Sequence, residues 1–232
     1  MAKLGVSVYV VRVSRFGKKT TELLQNVVET IPVDKVDVVH VQHEYGIWQG
    51  LERDFYLGLK NLGKPIVTTM HATGVSQQTD NGIAMTSDRV IVHNKYCAQR
   101  FGYPAVIIPH GAKPCETIPA DEAKRSCGLD PRIPIVGYCG FISSYKGLEQ
   151  LIEAMVKIPK AALLIAGGWH VQEETEYITQ LKERSLAILS KRCQWVGYVP
   201  DAELSKAYGA MDIVVYPSRF ATESGALITA LS

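Results

Sequence analysis

Short apolar runs rich in valine and isoleucine recur along the chain, separated by longer segments in which apolar residues return every three or four positions. Runs of the first kind read as buried parallel strands, and segments of the second kind as amphipathic helices. In the first half the predicted strands are 6–13, 36–41, 65–69, 89–92 and 105–108, and the predicted helices are 18–30, 49–62 and 95–101. From Pro109 the chain runs through Gly111, Pro114 and Pro119 to Pro131 and Pro134, a turn-rich stretch holding one short helix at 120–126. The alternation then restarts, with strands at 135–139, 162–166, 194–196 and 212–216 and helices at 147–157, 173–190 and 201–208. A last helix opens near Ser224 and carries no stop signal, so the chain reads as ending early in that helix.

Two successive α/β units follow from this pattern, both doubly wound: residues 1–111 and residues 112–232. Composition agrees with an ordinary globular protein, 47% hydrophobic and 21% charged over 232 residues. With 25 Lys and Arg against 23 Asp and Glu, the net charge of +2 gives no reason to expect nucleic acid as a partner. No apolar run approaches the roughly 20 residues of a membrane span. Cys97, Cys115, Cys127, Cys139 and Cys193 are odd in number and scattered, which points away from a disulfide framework and toward the cytoplasm. Arg12, Arg15, Lys18 and Lys19 form a basic cluster that reads as a solvated helix start or as a contact for an anionic lipid surface at the inner membrane face.

Ligands of open parallel sheets bind beyond the carboxyl ends of the strands. Five of the six histidines fall there: His43, His71, His93, His110 and His170, with only His40 inside a strand. Their shared placement predicts a common polar cleft. Residues 14–17 after the first strand lack the repeated glycines of a dinucleotide fold, and neither a P-loop nor a Gly-x-Ser-x-Gly elbow occurs. His40 and His43 are three apart without a third clustered ligand, so no metal site is expected. In the second half Lys146 stands at the mouth of the helix beginning at Gly147, suited to an anion or simply solvated, and Ser224 and Gly225 open the last helix, suited to an anion or to plain capping by Ser224. Gly167 and Gly168 end a strand and permit close approach of a ligand or a tight turn. Tyr45 and Trp48, just past His43 and Glu44, read equally as an aromatic platform for a sugar ring or as core.

The segments Asp37-Val-Val-His-Val-Gln-His-Glu-Tyr-Gly46, Thr68-Thr-Met-His-Ala-Thr73, Asp88-Arg-Val-Ile-Val-His-Asn94 and Ile108-Pro-His-Gly111 resemble the N-terminal domain of nucleotide-sugar glycosyltransferases of the GT-B fold, family 4 (group 1). Gly140-Phe-Ile-Ser-Ser-Tyr-Lys-Gly147, Leu163-Leu-Ile-Ala-Gly-Gly168, Val196-Gly-Tyr-Val-Pro200 and Tyr216-Pro-Ser218 resemble the donor-binding domain of the same family, in the same order. The resemblance implies two Rossmann-like domains facing a cleft. It implies a sugar or lipid-linked acceptor at the first domain, around His43, Glu44, Tyr45 and Trp48, and a nucleotide sugar at the second. Carried over by position, Lys146 contacts the donor diphosphate and His71 lies near the transferred sugar. Gly197 and Tyr198 lie against the base, and Glu223, Ser224, Gly225 and Ala226 lie near the donor sugar and phosphates. Gly140, Ser144 and Gly168 complete the donor set. The resemblance further implies retention of configuration, no metal and no separate cofactor.

Departures from the family pattern accompany it. Residues 141–145 hold no arginine ahead of Lys146, and Ala221 and Thr229 stand where two glutamates are usual, with Glu223 displaced by two. The glycine-rich loop after the first strand is reduced to Gly17, and the closing helices of the second domain are not in this sequence. Two functions therefore stay open at this point: a glycosyltransferase, and a non-catalytic or partner-dependent binding relative of the same fold. An epimerase would need acidic residues around the sugar ring that the sequence does not place.

Overall fold

The computed structural model describes residues 5–13, 20–48, 50–112, 116–168, 175–220 and 224–232. It forms two compact units, Met1–His110 and Gly111–Ser232.

In the first unit four strands pair in parallel in chain order: β1 (Val39–His43), β2 (Ile66–Met70), β3 (Arg89–Val92) and β4 (Val106–Ile107). The helices are α1 (Thr21–Glu29), the single turn α2 (Tyr45–Trp48), α3 (Glu52–Lys60), α4 (Gln77–Thr86) and α5 (Lys95–Phe101). Local chemistry sets their starts: the side chains of Thr20, Ser76 and Asn94 each accept a backbone N–H of the first turn. One core joins Leu24 and Val28 of α1 to Phe55, Tyr56 and Leu59 of α3, Ile83 of α4, Phe101 of α5 and the inward residues of the strands. The predicted first strand, 6–13, is not formed among the described residues. Val6, Val8, Tyr9 and Val10 are each more than half exposed, and no described strand pairs with them. An apolar run gives the tendency to be a strand, but a strand exists only with a hydrogen-bonded neighbour.

In the second unit the sheet order reverses, β7-β6-β5-β8, with β5 (Ile135–Cys139), β6 (Ala162–Ala166), β7 (Cys193–Gly197) and β8 (Ile213–Val214). The switch point lies between β5 and β8, which both run parallel and leave their carboxyl ends side by side. Strands β5 and β6 are buried along their whole length. Alternate residues feed two cores. Tyr138, Leu163 and Ile165 pack with α7 (Leu148–Ala154) and α8 (Thr175–Leu189), while Ile135, Leu164 and Ala166 pack with α6 (Ala120–Ser126) and α9 (Leu204–Gly209). The last helix is α10 (Gly225–Ala230).

No described helix is long and apolar enough to cross a membrane. Cys97, Cys127, Cys139 and Cys193 are not paired with one another in disulfides, and Cys115 lies outside the described residues.

Candidate functional site

In the second unit the loops after β5, β6, β7 and β8 converge, and their contacts explain the glycines. The segment after β5 extends the sheet, since the Gly140 N–H donates to Ala166 O at 2.9 Å and the Ile142 N–H to Gly168 O at 3.0 Å. Gly167 must be glycine, because a Cβ there would stand 2.0 Å from Gly140 O. Gly168 lies against Tyr198, a residue 64% exposed beyond β7. A Cβ on Gly140 would be 3.5 Å from that of Ala226 at the start of α10.

Lys146 ends a single 3-10 turn, Ser144–Lys146, and is half-buried with its Nζ 4.7 Å from the centre of the Tyr145 ring. The turn is closed by Gly147 at φ +69°, a left-handed conformation that glycine adopts without a Cβ penalty. A Cβ at Gly147 would also stand 2.5 Å from Pro217 O. Ser144 is exposed. Ser224 caps α10, its hydroxyl accepting the Leu227 N–H at 3.2 Å, so the plain capping role is the one its side chain fills. Glu223 and His170 lie outside the described residues.

One residue of this loop set escaped the sequence reading. The Arg219 N–H donates to Tyr145 O at 2.9 Å, and its guanidinium pairs with Glu149. It is a cation brought beside the lysine turn from the loop after β8, and nothing in local sequence signals that proximity.

In the first unit the two-residue period of β1 decides the fate of its polar side chains. His40 and Gln42 face outward, while His43 faces inward and is fully buried. His43 is therefore not a loop residue at a strand end, as its position predicted. Its ring stacks on Trp48 with centroids 6.0 Å apart, and its Nε2 is 3.8 Å from Glu52 Oε1. Trp48 is 2% exposed and packs on Phe55 at 4.4 Å. Of the two readings of Trp48, the core is the one its side chain occupies, and no face of the ring is open to a sugar. Tyr45 donates its hydroxyl to the buried Asp80, whose other oxygen accepts the Gly74 N–H at 2.8 Å. Burial, and then Asp80, push the Tyr45 phenol up, so it stays a neutral donor. Glu44 is half-buried, and its carbonyl accepts the Ile47 N–H at 3.0 Å.

The outward face gathers the other histidines. His71, His93 and His110 follow β2, β3 and β4, and their ring centroids are 4.8 to 5.6 Å apart. His71 Nε2 lies 2.8 Å from Gln42 Oε1, and His93 Nδ1 lies 3.0 Å from Ile108 O. Gln42 in turn reaches His40 Nε2 at 3.2 Å, which Thr69 Oγ1 also meets at 2.8 Å. Burial lowers the His40 pKa and favours the neutral ring. The sequence placed these three imidazoles at strand ends but named only His71 as a site residue. Their meeting is a consequence of β2, β3 and β4 being consecutive neighbours.

Residues 119–230 match the family described as glycosyl transferases group 1. Over 163 residues the chain is 29% identical to a lipopolysaccharide core biosynthesis mannosyltransferase, LpsB, of Rhizobium meliloti, covering 64% of this chain and 45% of that protein. Over 158 residues it is 27% identical to a D-inositol 3-phosphate glycosyltransferase of a Mycobacterium species, covering 64% and 35%. Among solved structures, sucrose-phosphate synthase from Thermosynechococcus elongatus superposes with a TM-score of 0.72 at 22% identity, covering 91% of this chain and 58% of that one. Anabaena HepE in complex with UDP and glucose gives 0.71 at 18% identity, covering 85% and 56%. The chain thus spans less than half the length of these two curated relatives. Just under half of the chain, residues 119–230, is thus similar to the glycosyl transferases group 1 family, and its two parallel-sheet units share the GT-B fold of these solved structures.

Proposed function

We propose that this chain takes part in glycosyl transfer from a nucleoside-diphosphate sugar to a glycan, lipid-linked or small-molecule acceptor, with retention of configuration. The observation that carries the reading is the convergence, at the switch point of the second sheet, of the lysine turn, Gly168, Tyr198 and the start of α10. In this reading the Lys146 ammonium neutralises charge that develops on the leaving diphosphate, and Arg219 supplies a second cation on the same loop set. Gly197 and Tyr198 lie against the base, and Glu223, Ser224, Gly225 and Ala226 lie near the donor sugar. No metal takes part in holding the diphosphate. The nucleotide sugar is itself the activated donor, so the reaction needs no further cofactor. His71 and its neighbours, with Glu44, serve the acceptor side, and the chain works at the cytoplasmic face of a membrane when the acceptor is lipid-linked. Support comes from the group 1 family match and from relatives named as a mannosyltransferase and an inositol-phosphate glycosyltransferase.

The test is a thermal-shift series with UDP, GDP, ADP and dTDP and their sugars, because a ligand bound only by the native state raises the melting temperature. One nucleotide is expected to raise it selectively, and Lys146→Ala to weaken that response at least about tenfold, the loss expected when a charged hydrogen bond of roughly 1.5–3 kcal/mol is removed. No shift with any nucleotide at millimolar concentration would overturn the donor assignment and leave the non-catalytic reading.

A further inference from the structure

One ring nitrogen from each of His71, His93 and His110 lies within 4.8 Å of the other two, at the ends of three adjacent strands. The hydrogen bonds behind the rings determine which nitrogens face inward. Ile108 O can only accept, so His93 carries its proton on Nδ1, 3.0 Å away, and its Nε2 presents a lone pair. Gln42 turns its NH2 toward His40 and its Oε1 toward His71 Nε2 at 2.8 Å, so His71 carries its proton there and its Nδ1 presents a lone pair. These two lone-pair nitrogens, His71 Nδ1 and His93 Nε2, face each other at 3.4 Å.

Two lone pairs at that separation repel unless a positive charge lies between them. A shared proton would serve two rings, whereas a metal ion serves all three. Nitrogens each about 2.0–2.1 Å from a tetrahedral ion stand about 3.4 Å from one another, the separation between His71 Nδ1 and His93 Nε2, and a rotation of the His110 ring within the 4.8 Å set brings in the third. Metal-bound imidazoles also donate their outer N–H to a carbonyl or carboxylate oxygen, which fixes the tautomer and raises ligand basicity. Gln42 Oε1 and Ile108 O already fill that role for two of the three.

We propose that His71 Nδ1, His93 Nε2 and a ring nitrogen of His110 bind one divalent transition-metal ion, of which zinc best suits three imidazoles and a tetrahedral arrangement. The fourth position is left for water or an oxygen ligand. The site belongs to the first unit alone and goes beyond the glycosyltransferase reading. With the ion bound, His71 Nδ1 is a ligand and relays no proton.

The experiment uses the tag-free 232-residue chain with no nucleotide present, so its outcome is independent of donor binding. Zn2+ is titrated calorimetrically, and Co2+ by visible absorption. One ion per chain is expected, with the Co2+ bands of a four-coordinate site. His93→Asn and His110→Asn should each abolish those bands, and Gln42→Leu should weaken binding about 10–100-fold by removing an outer hydrogen bond. Wild-type protein that takes up no more Zn2+ than Mg2+ would overturn the proposal whatever the variants do. So would Zn2+ uptake that both histidine variants leave unchanged.

Discussion

The phenolic oxygen of Tyr216 lies 3.0 Å from the carbonyl oxygen of Cys139 and 2.9 Å from that of Ala226, so one side chain beyond β8 ties the end of β5 to α10. Tyr208 reinforces it, its hydroxyl 3.1 Å from that of Tyr216 and 3.0 Å from Ala226 O. Between them the two hydroxyls supply one proton to each carbonyl. Burial pushes the Tyr216 phenol up to about 12, so it remains a donor throughout the neutral range. Tyr216→Phe removes the tether without changing the packing. A loss of about 1 kcal/mol of stability is expected, with weaker nucleotide binding, both read from melting curves with and without nucleotide.

Gly147 is held between a left-handed backbone and the Pro217 carbonyl. Gly147→Ala should cost more than about 1 kcal/mol, since the φ penalty and the clash add. It should also impair nucleotide binding more than a distant substitution of equal cost, because the turn that Gly147 closes carries Lys146. Urea unfolding paired with nucleotide titration separates the two effects.

Trp48 packs between His43 and Phe55. Trp48→Ala is expected to lose about 3–5 kcal/mol through the cavity it leaves. A variant of unchanged stability with a raised acceptor Michaelis constant would reinstate the sugar platform.

The buried Lys124 reaches Asp212 at 2.8 Å and the carbonyls of Ile133 and Pro131 at 3.2 and 3.4 Å. Burial opposes ionisation of Asp212, but the Lys124 ammonium and the Ile135 N–H outweigh it and hold the carboxyl below its ordinary 3.8. A carboxylate depressed in the folded state stabilises above its unfolded value, and that contribution is lost as pH falls through the folded one. Stability should therefore decline as pH drops below 3.8, and Asp212→Asn should flatten that limb of the profile. Thermal melts from pH 2.5 to 7 would show it. Lys124→Met, which deprives two carbonyls of a donor, should cost about 1–3 kcal/mol near neutrality.

The bounds of β3, β5, β6, α5 and α6 were legible in the sequence, because each is a short apolar or amphipathic run between strong punctuation such as Pro134, Asn94 and Gly102. Helix α4 was not. Gln77–Thr86 buries only Asp80 and Ile83 among mostly polar neighbours, and it is set in place by the Ser76 cap and by Asp80 reaching Gly74 and Tyr45. The lysine turn and the glycines around it were legible as motifs, since a glycine forced by close approach leaves a local trace. Arg219 left none, because its neighbour Tyr145 is distant in sequence.

The sequence by itself determined that two α/β units would form and that polar residues would collect beyond the strand ends, since both depend on local periodicity. Tertiary structure decided which of those residues meet. Strand neighbourhood brought His71, His93 and His110 together, and the pleat turned His43 inward onto Trp48 while Gln42 faced out to His71. Pairing and facing are properties of two strands at once, and no single stretch of sequence contains them.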